Sequence, residues 1–152
     1  MTRVRTGELV AGAAGVVLLG STFLEWYTVR GRAEGLTAWG AFTIVDVLIA
    51  IVALLGIALA ASQVIGRGPA LPVALGVITT TLALAGTLLV LYRILNQPGP
   101  NDVIGVAVGA WVGFAASLGV FLGAWWSIGD ERPRPVDPRP PEPERRPTPA
   151  RS

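Results

Sequence analysis

The chain predicts an all-α membrane protein, a four-helix transmembrane bundle with a short hairpin-like outer loop and a disordered Pro/Arg-rich C-terminal tail. Three observations carry this. Four long apolar runs follow one another with only short breaks. Hydrophobic residues make up 52% of the 152 and charged residues only 14%, with a mean hydropathy of +0.60. None of the runs has the polar outer face that a helix of a soluble bundle needs. A soluble domain of this size would leave much of that apolar surface in water, and a bilayer removes the conflict.

Residues 1–128 form the membrane domain, with helices expected at about 8–25, 41–65, 70–95 and 103–128. The first run follows Arg3 and Arg5 and is near the lower limit for a span, where roughly 17–25 residues are expected. A cleaved signal peptide also starts basic and apolar. Gly20-Ser21-Thr22 is a poor cleavage site, however, and Trp26-Tyr27 reads as an interfacial anchor ending a helix.

Between the first two runs lies the one substantial loop. Trp26 to Val29 and Leu36 to Trp39 are strand-friendly, and Arg30 to Gly35 between them is turn-rich, so a short surface hairpin is expected. The second run ends at Gly66-Arg67-Gly68-Pro69, a turn that closes one helix and opens the next. The third carries Thr79-Thr80-Thr81, whose hydroxyls are expected to bond their own helix or a neighbour. Before the fourth run, Asn101 or Asp102 suits an N-cap. From 129 to 152 the chain has almost nothing to bury, and a disordered cytoplasmic tail follows.

All twelve basic residues are Arg, a bias associated with GC-rich bacterial genomes. An even number of spans puts both termini and the Arg67 turn on one side, and the Arg balance makes that side cytoplasmic. Localisation is therefore the bacterial plasma membrane, multi-pass. Trp26, Tyr27, Trp39 and Tyr92 then form an outer aromatic belt, and Trp125 with Trp126 an inner one. The partner is the lipid bilayer, with a homo-oligomer or a second membrane protein as the further partner class. Nucleic-acid binding is not expected, since the chain has no folded basic face.

Neither Cys nor His occurs, which excludes disulfides, thiolate and imidazole metal sites, and Cys or His catalysis. No phosphate loop, nucleophile elbow or dinucleotide fingerprint is present, and no cofactor is expected. Asp46 lies roughly 7–10 Å into the second span at 1.5 Å per residue. Arg93 approaches the same boundary on the third helix, and Glu25 on the first. The three make a candidate intramembrane polar layer, with Asp46–Arg93 as an interhelical ion pair. Either a structural clamp or a proton- or ligand-binding site fits that description. Gly105, Gly109 and Gly113, spaced four apart, give the fourth helix a groove for another backbone, in its own bundle or in a second copy. Gly12, Gly15 and Gly20 in the first helix and Gly56 and Ala60 in the second offer matching surfaces.

In Leu24-Glu25-Trp26-Tyr27, Leu36-Thr37-Ala38-Trp39-Gly40-Ala41-Phe42, Ile44-Val45-Asp46 and Leu91-Tyr92-Arg93 the chain resembles a group of uncharacterised four-span membrane proteins of actinobacteria. The resemblance covers the membrane domain and implies the same four-helix plan without an activity. Spaced loop tryptophans are also similar to those of claudin-type proteins. Gly35-Leu36 precedes Trp39 at the wrong spacing for that motif and the cysteine pair is missing, so no function carries over. The expected role is a non-enzymatic assembly, scaffolding or accessory subunit. The alternative is a small oligomeric proton-coupled transporter using Asp46.

Overall fold

The computed structural model describes residues 6–41, 44–65, 70–97, 99 and 103–129. It is mostly helical, with α1 Thr6–Ser21, α2 Ala38–Ala41, α3 Ile44–Ile65, α4 Ala70–Leu95 and α5 Val108–Gly129; strands β1 Glu25–Val29, β2 Leu36–Thr37 and β3 Ile104–Val106 lie between them. The terminal arginines, the turn at 66–69, the Asn101/Asp102 cap and the tail beyond residue 129 fall outside the described residues.

Three helices contain segments long and apolar enough to cross a membrane: Ile44–Ser62, Ala74–Leu95 and Val108–Gly129. Helix α1 is apolar but has only 16 residues, about 24 Å at 1.5 Å per residue. It ends at Ser21, four residues before the expected boundary, because its last turn is closed from within. Ser21 Oγ donates to Leu18 O and Thr22 Oγ1 to Leu19 O, both at 2.7 Å. The N–H groups of Thr22, Phe23 and Leu24 each reach back three residues. Hydroxyls that bond local carbonyls compete with helix propagation, and the chain leaves in an extended conformation.

Helix α1 lies between α3 and α5, and α4 packs on α5 and, more lightly, on α3. The seams are made of small residues meeting backbone. A Cβ on Gly123 would stand 2.5 Å from Ala11 N and 2.7 Å from Gly7 O; one on Gly15 would stand 2.6 Å from Ala53 O; one on Gly56, 2.7 Å from Ala11 O. With lipid tails as apolar as the side chains, such close approach is what holds helices together. These contacts pair α1 antiparallel with both α3 and α5.

At one end the helices are covered by an antiparallel sheet in the order β2-β1-β3. Tyr27 pairs with Val106, Thr28 with Gly105 and Val29 with Ile104. Arg30 N–H to Val103 O and Ala107 N–H to Trp26 O, both 2.8 Å, extend that ladder at each end. On the other edge Glu25 pairs with Thr37 and Tyr27 with Leu36, with an irregular step between them. Gly31, at φ 86°, makes the turn in a conformation that favours glycine.

Two expectations are corrected here. The return strand is only Leu36–Thr37, because Ala38 to Ala41 turn helical. The fourth long helix starts at Val108, since residues 104–106 form a third strand. Gly105 therefore belongs to β3 and not to the helical glycine row. β-Branched Val103, Ile104 and Val106 suit a strand, and the free edge of β1 has backbone groups that need partners.

Candidate functional site: a buried layer beneath the sheet

The site begins at the C-terminal ends of α1 and α4, each of which meets a side chain of β1. The last carbonyls of a helix have no intrahelical donor. β1 supplies two from consecutive residues. Trp26 Nε1 donates to Ser21 O at 2.7 Å, capping α1. Tyr27 Oη donates to Arg93 O at 3.1 Å, capping α4.

This overturns the reading of Trp26 and Tyr27 as interfacial anchors. Both have 0% exposure, against 46% for Trp39 and 53% for Tyr92. An indole or phenol accepts burial when its polar atom finds a partner, and each of these has one. Trp39, Tyr92, Trp125 and Trp126 are on the surface, where an aromatic belt would have them. Trp39 also donates to Thr22 Oγ1 at 3.2 Å.

Gly109 and Gly113 make room for the pair. A Cβ on Gly113 would meet Trp26 Cζ2 at 2.5 Å, and one on Gly109 would strike the Glu25 carbonyl and the Trp26 ring. Gly105 faces Thr28 Oγ1. All three glycines pack within the chain, two against Trp26 and one across the β1–β3 ladder.

Asp46, in the first turn of α3, is fully buried. Neither carboxylate oxygen has a hydrogen-bond partner among the described residues. Arg93, half-buried in the last turn of α4, is close enough for its charge to act on both Asp46 and Tyr27. The expected ion pair is thus a through-space interaction, not a hydrogen-bonded bridge. Glu25 does not join the layer. It is exposed on β1, and its Oε1 accepts the Gly35 N–H at 3.0 Å, tying the hairpin. Its expected place at the end of a helix depended on four residues that α1 does not contain.

Tyr27 takes its place. Burial pushes the phenol up from 10.0 to about 12; the Arg93 charge opposes the rise and Asp46 adds to it. Below pH 10 the hydroxyl is protonated whether the chain is folded or not. Between 10 and 12 the unfolded chain would release the proton and the folded one hold it, so stability falls across that window. Alkaline titration by phenolate absorbance is expected to show one tyrosine ionising only near pH 12. Tyr27→Phe should remove that step, and a Tyr27→Phe profile that still contains it would contradict the assignment.

A second buried acid lies at the other end of the helices. Glu8, in the first turn of α1, is fully buried, and its Oε1 accepts Ser127 Oγ–H from α5 at 3.3 Å. Its position at the start of an apolar run gives no sign of burial in the sequence. The signal was the flanking small residues: Gly7 and Gly123 bring the two backbones so close that Glu8 and Ser127 are enclosed. Thr79 also departs from expectation. Thr80 and Thr81 bond back to Gly76 O and Val77 O, but buried Thr79 Oγ1 has no partner among the described residues.

Comparison of the chain with protein-family models, curated proteins and solved structures returns no match.

Proposed function

We infer that the chain is a four-span integral membrane protein with cytoplasmic termini, working as a non-enzymatic assembly or accessory subunit. The observation that carries this reading is how the chain uses its small and polar groups. Glycines of α1, α3 and α5 face neighbouring backbone. Most buried or half-buried hydroxyls bond their own helices. Such an arrangement suits a rigid platform that presents its surface to other membrane components.

Parity supports the span count. β1 and β3 pair, so residues 25–29 and 104–106 share a side, and α3 and α4 between them cross either both or not at all. Helix α1 then reaches the sheet with help from the turn at 22–24. The resemblance to four-span actinobacterial proteins agrees with this plan.

Chemical crosslinking in native membrane followed by affinity purification tests the role. Capture of a defined membrane-protein partner in stoichiometric yield is expected. Recovery of the chain with lipid alone, from cells in which it is expressed at its natural level, would count against an accessory role.

The second reading, a proton-coupled transporter, is favoured by one observation, the buried carboxyl of Asp46, which has no hydrogen-bond partner among the described residues. A buried carboxyl without a hydrogen bond leaves its desolvation cost uncompensated, and an apolar side chain in its place removes that cost. Asp46→Leu is therefore expected to hold or raise the thermal midpoint in detergent; a fall would mark Asp46 as a structural clamp. In proteoliposomes a pH-gradient-dependent flux abolished by the same change would select transport over the accessory role.

A further inference from the structure

We propose that the outer sheet is a movable cover over Asp46, and that the Tyr27 hydroxyl bonded to the Arg93 carbonyl is the latch controlling access of outer water and protons to that carboxyl. The proposal rests on the outer placement of the sheet inferred above.

The two sides of the cover are fastened unequally. On the α1 and α5 side the Trp26 ring fills the slot at Gly109 and Gly113, and its N–H holds Ser21 O at 2.7 Å. On the α4 side Tyr27 Oη holds Arg93 O by a longer bond of 3.1 Å. Tyr27 is in the central strand, paired with Val106 on one side and Leu36 on the other, and the Leu36 side is the thinner one, β2 having two residues and an irregular register against β1. Trp26 therefore serves as the hinge, and the β2 edge beside Tyr27 is the part that lifts.

What the cover encloses has reason to open. Asp46 is fully buried and both oxygens lack a hydrogen bond among the described residues. Buried polar atoms without partners are the groups that gain most from an admitted water. A water entering at the Tyr27 edge would find the carboxylate, the phenol and the Arg93 charge together, which is the set of polar partners that retains it. Tyr27 shares an apolar cluster with Ile49, Val90 and Ile94, so Tyr27→Phe removes the bond and keeps the ring.

The chain has no cysteine, so Asp46→Cys introduces a single thiol. Its modification rate is measured with a membrane-impermeant cationic thiol reagent, in right-side-out and inside-out vesicles. Thr28→Cys, on an exposed position of β1, is the reference. Asp46→Cys is expected to react far more slowly than Thr28→Cys from the outer side. Adding Tyr27→Phe should raise the Asp46→Cys rate about tenfold, the factor one neutral hydrogen bond supplies, and leave the Thr28→Cys rate unchanged. Gly105→Val, whose added carbon meets Thr28 Oγ1, loosens β3 from β1 and should act in the same direction. Trp39→Phe, which loses the bond to Thr22 outside the latch, should not.

Equal rates for Asp46→Cys and Thr28→Cys would overturn the proposal. So would an Asp46→Cys rate that neither Tyr27→Phe nor Gly105→Val changes, or one that Trp39→Phe raises as much. Modification of Thr28→Cys only in inside-out vesicles would overturn the assigned orientation instead, and the latch would then be read from that side.

Discussion

Gly123→Val is expected to separate α1 from α5 and to destabilise the protein by more than about 3 kcal/mol, beyond the usual 1–3 kcal/mol of an overpacked core. The reason lies in what the new side chain would meet. Its first carbon would stand 2.5 Å from Ala11 N, 2.7 Å from Gly7 O and 2.9 Å from Ala11 Cα. All three are backbone atoms, so no rotamer change relieves the clash. The helices must part, and Ser127 would then lose Glu8. Gly20→Ala is the control. Nothing lies within 4 Å of its added carbon, and relief of glycine's helix penalty should raise stability by up to about 1 kcal/mol. Thermal and denaturant unfolding in one detergent measure both. Equal losses for the two variants would mean that the α1–α5 seam is not closed by backbone contact.

Trp26→Ala should cost a similar amount for a different reason. Removing a buried tryptophan costs about 3–5 kcal/mol through lost packing and the cavity left behind. Here it also removes the shorter of the two hydrogen bonds that Ser21 O accepts, the other coming from Leu24 N–H at 3.1 Å, a loss of about 0.5–1.5 kcal/mol. Trp26→Phe fills most of the space and should recover the packing share only. Trp39→Ala, at a half-exposed ring, should cost much less. Comparable losses at Trp26 and Trp39 would return Trp26 to the interfacial role first assigned to it.

The helices were legible because nothing else accommodates runs such as 44–65 and 70–95: length and uniform apolarity leave one conformation with every backbone group satisfied. The ends were harder. Ser21 and Thr22 end α1 by bonding Leu18 O and Leu19 O, an outcome that local propensity permits but does not require. Ile104 to Val106 continue an apolar run without a break, and only the unpaired edge of β1, 75 or more residues earlier in the chain, makes them a strand. The Trp26-Tyr27 pair shows the same limit. Aromatic residues at a helix end read as membrane anchors, and their burial depends on Gly113 and the Arg93 carbonyl, both remote in sequence. Asp46 and Arg93 were found by counting depth, since both lie on regular helices. Glu25 was counted to the same level, but its segment is no longer helical at that point and the count does not apply to it.

The stitch made by β1 has a consequence for biosynthesis. Trp26 can find Ser21 O as soon as the first segment has emerged, five residues away. Tyr27 must wait for Arg93, 66 residues later, and the third strand arrives later still. A chain that has inserted its first segment therefore carries one capped helix end and one tyrosine with its acceptor not yet made. Closure of the sheet marks the moment at which the two intervening helices have both been placed. On the proposed four-span plan, a chain with either one misplaced would leave residues 104–106 on the wrong side, where β1 cannot pair with them, and its exposed strand edge would distinguish it from the finished protein.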